Sequence, residues 1–171
     1  MATNLQFIKS ASGSGVSSLS VTDCFSSQYD VYQIVIDTYE ATTQQELAIR
    51  LLDSGGSVIS ASEYDRASLT MFSYTGFIQF RATSQNKIQY LGWNSATTVG
   101  FGLSMYIFNP YNSSSYTFFK NQTSTFANGD GLIGYKNIGV HKSAEQTTGI
   151  NLLGESGHNL ANIKVSIYGV K

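Results

Sequence analysis

Apolar and polar residues alternate along much of this chain, most clearly near its middle and its end. In the first of these segments one face carries Phe101, Leu103, Met105 and Ile107. Residues 163–171 alternate in a similar way up to the last position. A period of two places successive side chains on opposite faces, so both segments are predicted to be half-buried strands. In all, strands are predicted over residues 5–8, 16–21, 29–37, 47–52, 69–74, 77–81, 87–91, 101–108, 116–119, 134–138, 149–153 and 163–168.

Glycine, serine and asparagine separate these strands. Residues 53–56 (Asp-Ser-Gly-Gly) predict a tight turn, because glycine accepts the positive φ that such turns need. Residues 83–86 predict a hairpin turn that pairs strand 77–81 with strand 87–91. Pro110 follows Asn109 and marks the turn after strand 101–108.

Many short strands joined by such turns predict an all-β chain, an antiparallel β-sandwich of jelly-roll type in a single domain over residues 1–171. We predict less than about 10% helix, against a usual 30–35%. The core is predicted to include Ile34, Ile36, Leu103, Met105, Val165 and Ile167. A circular dichroism spectrum dominated by helix would contradict this fold.

Composition limits the range of partners. Charged residues make up 12% of the 171 residues, about half the usual ~25%, and the formal net charge is −1. No basic stripe is present to neutralise phosphates, so nucleic acid is not an expected partner. Serine, threonine, asparagine and glutamine supply the polar surface, which tolerates close approach of another protein. The alternative is an ordinary β-rich surface, because strands disfavour lysine and glutamate.

The N-terminal and apolar segments carry no targeting pattern. Residues 1–15 lack a basic region followed by an apolar run, so no signal peptide is expected. The uncharged stretch between Lys87 and Lys120 contains polar residues and Pro110, so no membrane span is expected. Cys24 is the only cysteine, which excludes an intrachain disulfide and suggests a small core residue.

Two short motifs resemble sites but are better explained as turns. Residues 154–158 (Gly-Glu-Ser-Gly-His) place serine, glutamate and histidine together, but a catalytic triad is assembled in space and not along five residues. Residues 128–131 (Asn-Gly-Asp-Gly) match only part of a calcium loop and lack its distal glutamate. We predict no catalytic residues, no cofactor and no metal site.

One enzymatic alternative remains open at the level of sequence. Asp53, Glu63 and Asp65 offer carboxylate pairs for glycoside hydrolysis, which needs two carboxyl groups about 5–10 Å apart. A polysaccharide depolymerase fragment would use two of them, whereas loop carboxylates in water are the simpler interpretation. Alanine substitution of all three, assayed on a surface glycan, separates these hypotheses.

Exposed aromatic residues are the candidate contacts. Tyr106 and Phe108 lie on the strand face opposite the predicted core, where a monomer would leave them in water. Tyr111 and Tyr116 flank a Ser- and Asn-rich loop of the composition that adaptable binding loops favour. Trp93 follows a glycine and could stack on a sugar. These five residues are predicted either to contact neighbouring protein subunits or to bind host glycan.

The order of segments resembles that of small structural proteins from marine tailed phages. Residues 29–36 are similar to an early strand of that family, and residues 47–56 to its alternating strand and Gly-rich turn. An aromatic landmark at Tyr64 and a terminal strand pair over residues 148–169, ending in Tyr-Gly, continue the resemblance. The departure is residues 159–162, where the family often carries a further small residue.

The resemblance implies a jelly-roll-like sandwich in a virion that assembles in the cytoplasm of a bacterial host. A capsid decoration or cement protein that binds other virion proteins is the first expectation, as a homo-oligomer with a trimer as the first guess. The alternative is a receptor-binding, lectin-like fibre or tail module that recognises host surface glycan, with Trp93, Tyr111 and Tyr116 as stacking platforms.

Overall fold

A computed structural model describes residues 4–94, 100–127 and 131–171. The strands are β1 (Leu5–Val16), β2 (Ser18–Val21), β3 (Val31–Ala41), β4 (Gln45–Asp53), β5 (Tyr64–Phe72), β6 (Gly76–Gln85), β7 (Trp93–Asn94), β8 (Phe101–Phe108), β9 (Thr117–Ala127), β10 (Gly131–His141), β11 (Thr147–Gly154) and β12 (Leu160–Val170). Strands form about two thirds of the described residues, which contain no helix and hence no helix able to cross a membrane.

Two antiparallel sheets pack together, as the sequence predicted. The larger has the strand order β1-β12-β3-β8-β9-β10-β5-β6, and the smaller has the order β2-β11-β4-β7. Without β5, β6, β9 and β10, the remaining strands form two four-stranded sheets, and each step along the chain from β1 to β4 changes sheet. This is the arrangement of a jelly roll, and it confirms the predicted fold class.

The other four strands lengthen the larger sheet at one edge. We call β9-β10-β5-β6 the extension. It joins the jelly roll through the pairing of β8 with β9, and β10 lies between β9 and β5. The extension therefore places two pairs of strands from distant parts of the sequence side by side.

The main core lies between the two sheets of the jelly roll. All six predicted core residues are at most 3% exposed, namely Ile34, Ile36, Leu103, Met105, Val165 and Ile167. Cys24 is buried in the same core, and this burial raises the pKa of its thiol to about 12. Such a thiol stays protonated and behaves as an apolar core residue.

Much of the buried face of the extension is polar. It carries Ser68, Thr70, Asn121, Thr123, Thr125, Asn137 and His141, all at most 6% exposed. The chain segment that precedes β7 covers this face, and three of these buried side chains, those of Asn121, Thr123 and Asn137, hydrogen-bond its backbone. Asn137 donates its Nδ2 hydrogen to the carbonyl oxygen of Tyr90, and Asn121 does so to that of Leu91 at 3.3 Å. These bonds explain why the two asparagines occupy an interior face.

Substituting Asn137 with alanine should loosen this covering segment. The change leaves the carbonyl oxygen of Tyr90 without its side-chain donor, and a buried unsatisfied polar group costs about 1–3 kcal/mol. We expect that loss in the free energy of unfolding from urea denaturation, with faster amide exchange around residues 88–92. An equal loss for Lys136→Ala, the exposed neighbour on the opposite face, would contradict this explanation.

Two strand predictions were wrong. Residues 16–21 do not form one strand, because the chain passes from the larger sheet to the smaller at Ser17, between β1 and β2. Residues 87–91 do not pair with β6 across a turn at 83–86, because β6 runs through to Gln85 and pairs with β5. Ile88 instead makes a single bridge to Ile49, and the left-handed φ of 60° at Tyr90 interrupts the extended backbone.

The turn predictions have mixed outcomes. Residues 154–158 form a turn between β11 and β12, in which the Gly157 amide donates to the carbonyl oxygen of Gly154 at 3.3 Å. After β4, the Gly56 amide donates to the carbonyl oxygen of Asp53 at 3.0 Å, as expected for the predicted turn. The predicted turn at 128–131 falls mainly on residues 128–130, which lie outside the described residues.

Candidate functional site

The outward face of the larger sheet carries a continuous group of apolar side chains. Phe108 of β8 pairs with Phe118 of β9, which in turn pairs with Val140 of β10. One row further along, Tyr106 and Ile138 both pair with Lys120. Paired residues of antiparallel strands point to the same side. We call Tyr106, Phe108, Phe118, Ile138 and Val140 the outer band.

Water reaches much of the outer band. Ile138 is 60% exposed and Phe118 is 46% exposed, whereas the other three are partly covered by their neighbours. The rings of Tyr106 and Phe108 stack at 6.4 Å between centroids. An apolar strand face in water is typical of a surface that another protein covers.

A shallow groove of about 780 Å³ lies along this face of the extension. Phe118, Ile138 and Val140 contribute its apolar lining, and Arg81 and Asp65 lie at its border. Asp65 accepts hydrogen bonds from Lys142 Nζ and from the Ser84 amide, and these two bonds lower the pKa of its carboxyl. The apolar lining with a charged border is the composition of a protein interface core and its rim.

The apolar surface continues across the jelly roll beyond β8. Val31 pairs with Phe108, Val170 pairs with Val31, and Leu5 pairs with Val170. Leu5 is 42% exposed, so the far end of this row is also accessible. One row of apolar side chains thus crosses six adjacent strands, β1, β12, β3, β8, β9 and β10.

The structure brings together two of the five predicted contact residues. Tyr106 and Phe108 belong to the outer band. Trp93 is partly buried in β7, where it packs against Ile133 and Tyr135. Tyr111 packs against the main core, while Tyr116 is 46% exposed in the segment before β9. Trp93 and Tyr111 are therefore less accessible than the sequence suggested.

Sequence reasoning missed three members of the outer band. All three lie in or beside predicted strands, namely Phe118, Ile138 and Val140. However, they lie on the strand face opposite Asn121 or Asn137, and the sequence alone suggests that the apolar side chains face the core. The usual rule would bury isoleucine and expose asparagine. Here the reverse holds, because the asparagines bond the covering segment. The only available signal was an unusual number of amides and hydroxyls in strands with clear alternation.

Each of the three candidate carboxylates has a structural partner. Asp53 Oδ1 accepts from the amides of Gly55 and Ser57, both at 2.8 Å, and so shapes the turn after β4. Asp65 pairs with Lys142 at 2.9 Å. Glu63 Oε2 lies 3.1 Å from Nε2 of the buried His141. Each carboxylate therefore holds a neighbouring part of the structure in place.

Glu63, His141 and Glu145 form the one group in the described chain with metal-ligand chemistry. The distance from His141 Nε2 to Glu145 Oε1 is 3.7 Å. The other ring nitrogen, Nδ1, is buried and has no partner in the described chain. A metal-bound histidine usually donates that second N–H to a carbonyl or carboxylate. The arrangement therefore fits a buried histidine that hydrogen-bonds Glu63 better than a metal site.

No family model matches the sequence, and no curated protein matches it. Among solved structures, the chain is weakly similar to a fructofuranosidase from Schwanniomyces occidentalis complexed with fructosylnystose, with 10% identity, 99% of this chain covered and a TM-score of 0.26. It spans 35% of that enzyme's chain. It is also weakly similar to infectious bursal disease virus structures of the Gx and Gt strains, each with 9% identity, 40% of that chain covered and a TM-score of 0.14. The match covers 97% of this chain for the Gx strain and 95% for the Gt strain. Similarity at this level supports no conclusion about function.

Proposed function

We propose that this protein is a non-enzymatic structural component of a virion, a capsid decoration or cement protein that binds neighbouring capsid subunits. The sequence resemblance to small structural proteins of marine tailed phages supplies the type of particle. The observation that carries the contact function is the outer band, an apolar row on the water-facing side of the larger sheet. The protein would reach the virion from the cytoplasm of a bacterial host.

Burial of the outer band supplies the driving force for docking. Removal of apolar surface from water contributes roughly 25 cal/mol per Å², before the costs of association are subtracted. Ile138 and Phe118 have the most to gain, since they are the most exposed members of the band. The neighbours in the band already order the side chains of Tyr106 and Phe108, so less conformational entropy is lost there on docking.

Copies of the chain are proposed to form a closed oligomer on the capsid, with a trimer as the first guess. A closed arrangement is favoured because an open head-to-tail contact through one apolar row would produce filaments. In this arrangement one part of the outer band contacts a second copy of the chain, and another part contacts a capsid subunit. Sedimentation of the isolated protein measures the first contact, and co-sedimentation with capsids measures the second.

Substituting Tyr106 with aspartate should weaken attachment to capsids. The variant places a charge within the outer band, next to Phe108 and within reach of Lys120, while the fold keeps its buried face. We expect roughly a tenfold or greater loss of capsid affinity and an unchanged circular dichroism spectrum. Tyr116→Asp is the matched control, because Tyr116 is exposed outside the band.

The glycan-binding alternative gives the opposite result. A lectin-like module that stacks sugars on Tyr116 would lose binding to host glycan in Tyr116→Asp and keep it in Tyr106→Asp. Glycan-array binding by the isolated protein with that pattern, together with unchanged capsid attachment in Tyr106→Asp, would overturn the proposed function.

A further inference from the structure

A small cavity lies between the extension and the edge of the smaller sheet. Its volume is about 180 Å³. Five aromatic rings border it, those of Phe72, Tyr74, Phe80, Trp93 and Tyr135. Tyr135 lies on the face of β10 opposite Ile138, so this cavity is separate from the outer band and its role goes beyond the proposed function.

Two polar groups at this cavity have unused hydrogen-bonding capacity. Glu46 Oε1 accepts a hydrogen bond from the Tyr135 hydroxyl at 2.9 Å, but its Oε2 is buried with no partner in the described chain. Thr70 is 1% exposed, and its Oγ1 also has no partner in that part of the chain. Both groups border the cavity. Buried polar atoms of this kind call for a ligand or an ordered water.

The charged groups nearby do not satisfy Glu46. Arg66 donates from Nη2 to Gln89 at 2.9 Å, and its guanidinium lies 4.4 Å from the centre of the Tyr90 ring. Glu155 accepts from the amide of Gln89 at 2.9 Å. The pKa of Glu46 is raised to about 8, mainly by burial and to a smaller extent by Glu155, while the Tyr135 hydrogen bond and Arg66 oppose the rise.

We propose that the cavity binds a primary ammonium group, carried by a small alkylamine or by a lysine side chain. An ammonium group has three N–H donors and no acceptor, which suits the two unpartnered oxygens of Glu46 and Thr70. Aromatic rings attract a cation through their faces, and Trp93 is the strongest partner of this type. A quaternary ammonium would leave both oxygens without a donor. A sugar would bring more hydroxyl groups than two oxygens can bond.

Trp93 provides the measurement, because it is the only tryptophan in the chain. Titration of the full chain with n-butylammonium should change its fluorescence in a saturable way, whereas n-butanol of the same length should bind at least tenfold more weakly. Binding should strengthen as the pH rises through about 8, where Glu46 ionises, and weaken again near pH ~10.4 as the amine loses its proton. Nα-acetyl-lysine amide distinguishes the two carriers of the ammonium group. If it binds more tightly than n-butylammonium, the site is assigned to a lysine side chain of a partner protein. If it binds equally or more weakly, the site is assigned to a small amine.

Glu46→Gln should lower the affinity for n-butylammonium roughly tenfold or more and remove the rise with pH. Glu155→Gln is the matched control, since Glu155 lies near Glu46 but does not border the cavity, and it should keep most of the affinity. Equal binding of n-butanol, undiminished binding by Glu46→Gln, tighter binding of methyl glucoside, or no saturable signal would each overturn the proposal. The comparison of amine with alcohol uses the unmodified chain, so it decides the question even if Glu46→Gln fails to fold.

Discussion

Substituting Ile138 with aspartate is expected to weaken capsid attachment roughly a hundredfold while the isolated protein stays folded. Ile138 is 60% exposed, so an isolated chain loses little burial, and the expected cost to folding is about 1 kcal/mol or less from the poorer strand propensity of aspartate. In the docked state the new carboxylate would be buried against apolar surface, and an ion pair with Lys120, which lies opposite on β9, would offset only part of the desolvation cost. A penalty of about 3 kcal/mol corresponds to roughly a hundredfold loss of affinity, measured by co-sedimentation with capsids.

Ser124→Asp is the control for Ile138→Asp. Ser124 is exposed on the same outward face of the extension. Its cross-strand neighbours are two glycines, Gly102 and Gly134, so it lies away from the outer band. The control adds the same charge to a strand and should attach to capsids like the unmodified protein. Equal losses in the two variants would mean that net charge decides attachment and not the apolar band.

Substituting Gly149 with alanine should strongly destabilise the protein. A Cβ atom at this position would lie 2.2 Å from the carbonyl oxygen of Val21 and 3.0 Å from Leu52 Cδ1. Val21 belongs to β2, which pairs with β11, so the backbone cannot move away without breaking that pairing. Overpacking usually costs 1–3 kcal/mol, and a clash with backbone belongs at or above the top of that range, at about 3 kcal/mol. Urea denaturation should show the loss as a lower midpoint.

Gly102→Ala makes the same chemical change where there is room. Gly102 lies in β8, and a Cβ atom there would meet nothing within 4 Å. Its stability should stay within about 0.5 kcal/mol of the unmodified protein. A small effect of Gly149→Ala, similar to that of Gly102→Ala, would show that the packing of β2 on β11 is looser than described.

The jelly-roll core was predictable because local pattern and tertiary packing agree there. Leu103 and Val165 each lie between polar or small residues, and the sheet buries the apolar face as the period of two requires. By contrast, β1 runs through Val16, although residues 9–15 contain mainly serine, glycine and alanine. Pairing with β12 holds this part of the strand, and no local pattern reveals such a long-range partner.

The candidate sites were much less predictable. Ile138 and Asn137 are neighbours in sequence and lie on opposite faces of β10. The alternation is the same whether Ile138 or Asn137 is on the buried face. The outcome depends on a covering segment that ends near Trp93 and bonds the asparagine. In the same way, Glu46 meets Tyr135 across 89 positions of sequence, so the cavity that they share has no local signature. Only the three-dimensional pairing of the extension brings these groups together.

The most direct test of the central claim is a cryo-electron microscopy map of purified virions that carry this chain. The proposed function predicts density for the jelly roll on the capsid, with Ile138 and Phe118 covered by a neighbouring subunit. A protein that is missing from purified particles, or one bound with the outer band facing water, would contradict it.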